Sequence, residues 1–136
     1  MFEINGSTFK PLLAAGTDLF SITYPAAVTP KLDGIRCVII DGVPRSRTLK
    51  QIQNKRIVET LSGIPHIFDG EILAAGGNFQ ETTTAVMASE STVPWVYHVF
   101  DVVIPNQPTA PYTQRMAYLR ELFELNQFPE QVQPLY

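Results

Sequence analysis

The sequence has little or nothing of several features that define whole classes of protein. It holds one cysteine, Cys37, so no disulfide can form within the chain, which suits a reducing cytoplasm. It has no run of about 18 apolar residues and no charged-then-apolar leader, which argues against a membrane span and a secretion signal. The two histidines, His66 and His98, form no metal-ligand spacing with the cysteine. A small globular domain is left, and we place it in the cytoplasm as a prediction.

The charged fraction is that of a globular protein, but the charges are unevenly distributed along the sequence. Charged residues make up 17% of the chain and the net charge is −3, which argues against a general affinity for nucleic acid. Yet seven of the ten basic residues fall between positions 31 and 56, so that this segment carries +5 and the remainder −8. We expect one phosphate-facing surface on an acidic body, although a solvated helix face would give part of the same pattern.

Hydrophobic periodicity and turn residues predict an α+β domain with antiparallel sheet and flanking helices. Pro44 makes the second of the expected strands short or places it at an edge. Strands are expected at 35–41, 43–47, 67–74 and 94–104, with another beginning at 132. Helices are expected at 48–61, 80–89 and 112–125.

The segment K-L-D-G-I-R at positions 31–36 has the most chemical content. It lies just ahead of a predicted strand, so Lys31 would stand on a rigid edge and face a cleft. Partial burial and a nearby arginine, Arg36, both lower the pKa of a lysine, and the neutral amine is the nucleophile. Gly34 allows a turn or a close approach to a ligand. A solvated lysine in a turn is the plain alternative.

This segment resembles the nucleotide-attachment motif of the covalent nucleotidyltransferases, which comprise ATP-dependent DNA ligases, RNA ligases and mRNA capping enzymes. With its flanks, from position 10 to Arg115, the chain is most similar to the minimal ATP-dependent DNA ligases of phages and large DNA viruses. The resemblance implies an ATP-grasp-like adenylation domain. It also implies that Lys31 attacks the α-phosphorus of ATP and carries AMP as a phosphoramidate, on the way to sealing nicks in duplex DNA.

The resemblance assigns further nucleotide contacts. Arg36 would hold ribose or phosphate oxygens through its guanidinium fork, unless it forms a salt bridge to Asp33 or Glu71. Glu71, in the D-G-E motif, would accept a hydrogen bond from a ribose hydroxyl. Phe100, in the Y-H-V-F-D motif, would stack on adenine, or else belong to the core.

Two weaker assignments flank the lysine. Thr29 falls where this family contacts the adenine edge. Asp33 would hold waters around a Mg²⁺ that neutralises the triphosphate, with a capping or turn role as the alternative. Strand alternation further predicts that Asp101 shares a face with Tyr97, opposite to Phe100.

DNA contacts are also implied by the resemblance. The S-R-T sequence around Arg47 matches a motif that engages the 5′-phosphate of the nick, and a strand end before a helix start would suit an anion. Lys50 belongs to the same basic segment. The residues from Phe79 to Met87 resemble a viral segment whose phenylalanine and methionine pack on DNA sugars. The alternatives are a plain surface arginine for Arg47 and core positions for Phe79 and Met87.

Family members continue with a glutamate-glycine motif that helps to hold the metal, a lysine-x-lysine motif and an oligonucleotide-binding β-barrel. None of these can be placed before Tyr136, so residues 1–136 are interpreted as the N-terminal portion of the adenylation domain. Phosphoryl transfer depends on positioning and charge neutralisation, so we expect that the chain alone does not seal nicks. A second chain or a C-terminal segment would complete it.

Two alternatives to a DNA ligase stay open at this point. An RNA ligase or capping-type nucleotidyltransferase would share the lysine motif. A non-catalytic domain would keep the basic surface and bind nucleic acid, or would complement a missing chain.

Overall fold

The computed structural model describes residues 2–4, 7–9, 34–74 and 79–135. Strands β1 (Phe2–Ile4) and β2 (Ser7–Phe9) pair antiparallel with each other. A second sheet contains β3 (Ile35–Ile40), β4 (Val43–Arg45), β5 (Phe68–Ala74), β6 (Trp95–Val102) and β7 (Val132–Pro134). The helices in these ranges are α1 (Lys55–Leu61), α2 (Phe79–Met87) and α3 (Tyr112–Leu125). The predicted α+β class is confirmed, and no helix among these residues is long and apolar enough to cross a bilayer.

The strand order in the larger sheet is β4-β3-β5-β6-β7. Neighbouring strands are antiparallel except for β6 and β7, which run parallel. The parallel pair lies at one edge of an otherwise antiparallel sheet, and α3 forms the crossover that a parallel connection requires. Strand β4 is the opposite edge, as Pro44 predicts.

A tight turn joins β3 to β4. Asp41 and Gly42 both have positive φ, 53° and 73°, as the two central residues of a type I′ hairpin turn require. The Asp-Gly pair therefore fixes the register in which Ile40 lies opposite Val43.

One face of the sheet packs against the helices. Alternate residues of β5 are buried, beginning with Phe68, and α3 contributes Met116, Leu119 and Leu122 at helical spacing. Cys37 lies in this core and is fully buried, as expected for a small residue of the strand. The core includes Cys37, Ile39, Ile57, Leu61, Phe68, Ile72, Val86, Tyr97, Val99, Met116, Leu119 and Leu122.

Helix α1 begins later than the periodicity predicts. Residues 48–54 are not helical: Leu49 has a φ of +66°, and the backbone N–H of Ile52 donates to the Pro44 carbonyl. The side chain of Asn54 caps the helix by accepting from the N–H groups of Arg56 and Ile57. Tertiary hydrogen bonds to β4 thus override the local helical pattern before Asn54.

Candidate nucleotide site and DNA-facing surface

The face of the sheet opposite the helices is lined by polar side chains from three adjacent strands. Arg36 on β3 lies opposite Glu71 on β5, and Glu71 lies opposite His98 on β6. Directly opposite residues project from the same face, so Arg36, Glu71 and His98 form one cross-strand row with the carboxylate in its centre. Asp69, two residues before Glu71, projects from the same face.

A β-bulge changes the alternation of β6 near this row. Asp69 pairs with Asp101 while the next residue, Gly70, pairs with Val99, which leaves Phe100 as the extra residue. Asp101 therefore shares the face of Asp69, and the expectation that it lies on the face of Tyr97 is wrong. Simple alternation cannot anticipate an inserted residue. The bulge brings Phe100 and Asp101 together beside the row.

The guanidinium of Arg36 connects these residues. Its Nε donates to Oδ1 of Asp69 at 3.0 Å and its Nη2 donates to Oδ2 at 2.5 Å. The same guanidinium lies over the ring of Phe100, with its Cζ 5.8 Å from the ring centroid. Arg36 thus forms a salt bridge with Asp69, a partner that is not among those expected from the sequence.

Burial and charge act in opposite directions on this ion pair. Burial raises the pKa of Asp69 above its usual value, although the hydrogen bonds from Arg36 lower it. The hydrogen bonds to Asp69 raise the pKa of Arg36, and the charges of Asp69 and Glu71 add to that effect. A buried carboxylate that would otherwise favour its neutral form is thus held beside a cation. The ion pair therefore holds the Arg36 guanidinium in place over the ring of Phe100.

The two glycines of the motifs are required where strands approach closely. A Cβ on Gly34 would lie 2.2 Å from the Ile72 carbonyl oxygen, and one on Gly70 would lie 2.2 Å from the His98 carbonyl oxygen. The backbone N–H of Gly34 also donates to Oε2 of Glu71 at 3.2 Å. The D-G-E motif therefore lies within a strand and not in a turn, and Gly34 connects the lysine motif to Glu71.

The structure brings together three of the residues assigned to the nucleotide, namely Arg36, Glu71 and Phe100. Lys31, Thr29 and Asp33 lie outside the described residues. Within residues 34–74 and 79–135, no group of three or more His, Cys, Asp or Glu side chains could hold a metal ion. The two carboxylates of β5 on this face are already engaged, Asp69 by Arg36 and Glu71 by Gly34. These two carboxylates do not fit a metal centre, and the assignment of Asp33 to Mg²⁺ stays a prediction.

The residues assigned to DNA lie on the surface of the molecule. Arg47 and Lys50 are exposed in the turn after β4. Helix α1 begins only at Lys55, so Arg47 does not stand at a helix start, and that part of the argument for an anion site is wrong. Phe79 is 56% exposed and Met87 46% exposed. The alternative that these two belong to the core is therefore excluded.

Helix α2 presents its exposed apolar residues as a stripe. Phe79, Thr83 and Met87 recur at intervals of four residues, which places them along one side of the helix. The residues beside this row anchor the helix: Thr82 and Val86 are fully buried, and the Thr82 hydroxyl accepts from the N–H of Ala74. The stripe is therefore held on a rigid element.

Two residues with important contacts were not singled out by the sequence. The sequence presents Asp69 only as part of the D-G-E motif, although its spacing of two from Glu71 places it on the same strand face. Asn54 is 1% exposed and its Nδ2 donates to the Ala85 carbonyl at 2.8 Å, which ties the start of α1 to the end of α2. The one sequence signal for a capping role of Asn54 is that asparagine is a preferred residue before the first turn of a helix.

The comparisons with known proteins agree with this geometry. No family model matches the sequence, and no curated protein does so either. A crystal structure of Chlorella virus DNA ligase-adenylate matches 93% of this chain at 33% identity and a TM-score of 0.80. A second crystal structure of that ligase-adenylate matches 93% at 30% identity and a TM-score of 0.77.

A Lig E DNA ligase, studied for DNA binding with a minimal scaffold, matches 79% of the chain at 23% identity and a TM-score of 0.61. The match covers 42% of the Lig E ligase, and at this identity it shows the fold alone. The chain spans about half of the viral ligase, 49% in the first structure and 48% in the second. The resemblance inferred from the sequence motifs is confirmed: over 93% of its length this chain is similar in structure to about half of a viral DNA ligase-adenylate.

Proposed function

We propose that this chain provides the ATP-binding and AMP-accepting part of a DNA ligase, with Lys31 as the nucleophile. The observation that carries the proposal is the convergence of Arg36, Glu71 and Phe100 on one sheet face. They come from three different strands, and the sequence motifs assign all three to one nucleotide. The likeness to a viral ligase-adenylate over 93% of the chain supports the same ligand class.

In the proposed reaction the amine of Lys31 loses its proton and forms a bond to the α-phosphorus of ATP. The bond from that phosphorus to the bridging oxygen of the β-phosphate breaks, and pyrophosphate leaves with the electron pair. The product is a lysyl-AMP phosphoramidate. In a complete ligase, AMP would then pass to the 5′-phosphate of a nick in duplex DNA.

Each residue of the sheet face has a separate task in this proposal. Arg36, held by Asp69, donates to ribose or phosphate oxygens. Glu71 accepts from a ribose hydroxyl, and Phe100 offers its ring to adenine. Mg²⁺ would neutralise charge on the triphosphate, with Asp33 proposed to hold its waters, and none of the steps above is assigned to it.

The nucleotide site is tested by transfer of label from ATP to the protein. Phe100→Leu keeps an apolar side chain but removes the aromatic ring, so we expect it to reduce adduct formation by about tenfold, which corresponds to the loss of one aromatic contact. Phe128→Leu is the matched control, because Phe128 packs with Phe68 and Phe123 away from this face. Equal loss in both variants would refute a nucleotide role for Phe100.

A second function, nucleic-acid binding without catalysis, is favoured by the exposed stripe of α2, because the end of this helix is hydrogen-bonded to Asn54 and Lys55 of the basic segment 31–56. We propose that Phe79 and Met87 pack on DNA sugars and that Arg47 and Lys50 contact backbone phosphates. A gel shift on nicked duplex DNA, with wild type and Lys31→Ala, separates the two readings. Retained binding without any AMP adduct on the wild type would support the non-catalytic domain. Labelled GTP in place of ATP tests the capping-type alternative.

A further inference from the structure

His98 is the third residue of the cross-strand row, after Arg36 and Glu71. His98 lies directly opposite Glu71 on β6, so their Cβ atoms are about 4.5–5.5 Å apart. His98 is half-buried, as Phe100 is, while Tyr97 and Val99 between and beside them are buried in the core. The imidazole therefore stands on the proposed nucleotide face, next to the carboxylate assigned to the ribose.

Among the residues that the structure describes, several charged side chains lie on the same sheet face as His98. Its row contains Glu71 and Arg36, while Asp69 and Asp101 lie on the same face beside it. Asp69 is paired with Arg36 and Asp101 with Arg115. On the other side, β7 places the uncharged Gln133 opposite His98. Glu71, which accepts from the N–H of Gly34, is the carboxylate directly opposite His98 in register.

Burial keeps His98 neutral near pH 7, because it lowers the pKa of the imidazole. A neutral imidazole has one N–H and one acceptor nitrogen, whereas the imidazolium has two N–H donors and a positive charge. Such a cation beside Glu71 would attract the carboxylate and compete with a ribose hydroxyl for its oxygens. The protonation state of His98 would therefore decide how well Glu71 can accept from a nucleotide.

We propose that His98 is a positioning residue of the nucleotide site: its neutral form leaves Glu71 to the ribose, and its protonation weakens nucleotide binding. The inference rests on the proposed function. It assigns His98 a role through Glu71 and not a contact with the reacting atoms.

The test compares pH profiles of AMP-adduct formation at subsaturating ATP. Lowering the pH from about 7.5 to about 5.5, which brackets the ordinary histidine pKa, reduces the yield in every variant because Lys31 must lose a proton. We expect wild type to fall about fivefold more than His98→Gln, a typical coupling between neighbouring sites. His66→Gln is the control and should follow the wild-type profile, because His66 stacks on Phe68 in an aromatic cluster.

A second measurement does not depend on nucleotide. In an NMR titration, Glu71→Gln should lower the pKa of His98, because the carboxylate that favours the imidazolium is gone. An unchanged His98 pKa in Glu71→Gln overturns the inference. Identical pH profiles for wild type and His98→Gln also overturn it, while adducts in both leave the proposed function standing.

The opposite pH dependence of adduct formation would also overturn the inference. If His98 made adduct formation stronger at low pH, the imidazolium would be binding phosphate, and the role through Glu71 would be wrong. The absence of an adduct in every variant at every pH would refute the proposed function and this inference together.

Discussion

Arg36 and Asp69 form a two-point ion pair between neighbouring strands, although they are not opposite each other in register. Arg36 pairs with Glu71 across β3 and β5, yet its guanidinium reaches diagonally to the Asp69 carboxylate. Both side chains are largely buried, with 18% and 15% of their side-chain surface exposed. This pair fixes the only arginine of the lysine motif.

The ion pair should matter to stability, and unequally for its two members. We expect Asp69→Asn to lower the free energy of unfolding by about 1.5–3 kcal/mol, the range for hydrogen bonds to charged groups. Arg36→Gln should cost more, about 3–5 kcal/mol, because it leaves a buried carboxylate without its cation. Urea unfolding at neutral pH measures both. A smaller loss for Arg36→Gln than for Asp69→Asn would contradict this ordering.

The same pair gives a prediction for pH. In Arg36→Gln the pKa of Asp69 should rise further, because burial remains and the arginine that lowers it is absent. A folded pKa above the unfolded value means that the folded state binds the proton more tightly, so stability increases as the pH falls. The deficit of Arg36→Gln relative to wild type should therefore shrink as the pH is lowered from neutral toward the unfolded pKa of an aspartate. A constant deficit over that range would show that Asp69 does not control it.

The glycines of the two motifs should resist even the smallest side chain. Gly70→Ala puts a Cβ 2.2 Å from a backbone carbonyl of β6, so the strands must separate, at a cost of about 1–3 kcal/mol or more. Gly63→Ala is the control: Gly63 has φ +86° but no heavy atom within 4 Å of the added Cβ. It should lose about 1 kcal/mol through backbone strain alone. Thermal unfolding that ranks Gly63→Ala below Gly70→Ala in stability would contradict the close-approach argument.

The sequence predicted those elements whose pattern is local. Helix α3 occupies the predicted 112–125, and Pro44 marks the edge strand, because periodicity and a missing N–H act within one element. Three features depend on contacts between distant segments and were missed. They are the late start of α1 at Lys55, the bulge at Phe100 and the Arg36–Asp69 pair. The motifs predict which residues form the nucleotide site, but only the strand register shows how Arg36, Glu71 and Phe100 meet.

The stripe on α2 gives a prediction that separates function from folding. Phe79→Ser combined with Met87→Ser should leave the free energy of unfolding within about 0.5 kcal/mol of wild type, because both side chains are exposed. Affinity for nicked duplex DNA should fall, since apolar contacts with the sugars are lost. Val86→Ala, on the buried side of the same helix, is the stability control and should be destabilising. Unchanged DNA affinity in the double variant would remove the stripe from the proposed interface.

Asn54 should be more important than an ordinary helix cap. It accepts from the N–H groups of Arg56 and Ile57 and donates to the Ala85 carbonyl from a buried position. We expect Asn54→Ala to lower the free energy of unfolding by about 2–3 kcal/mol, the sum of a lost cap and an unsatisfied buried carbonyl. Asn126→Ala, at the exposed end of α3, should change it by less than about 0.5 kcal/mol. Equal effects in urea unfolding would show that Asn54 does not connect α1 to α2.

The central claim is that Lys31 accepts AMP at a site shared with Arg36, Glu71 and Phe100. The most direct measurement is the intact mass of the chain after exposure to ATP and Mg²⁺, followed by peptide mapping. We predict a mass increase of one AMP that maps to Lys31 and is absent from Lys31→Ala. An unmodified wild-type chain, or an adduct that persists in Lys31→Ala, would contradict the account.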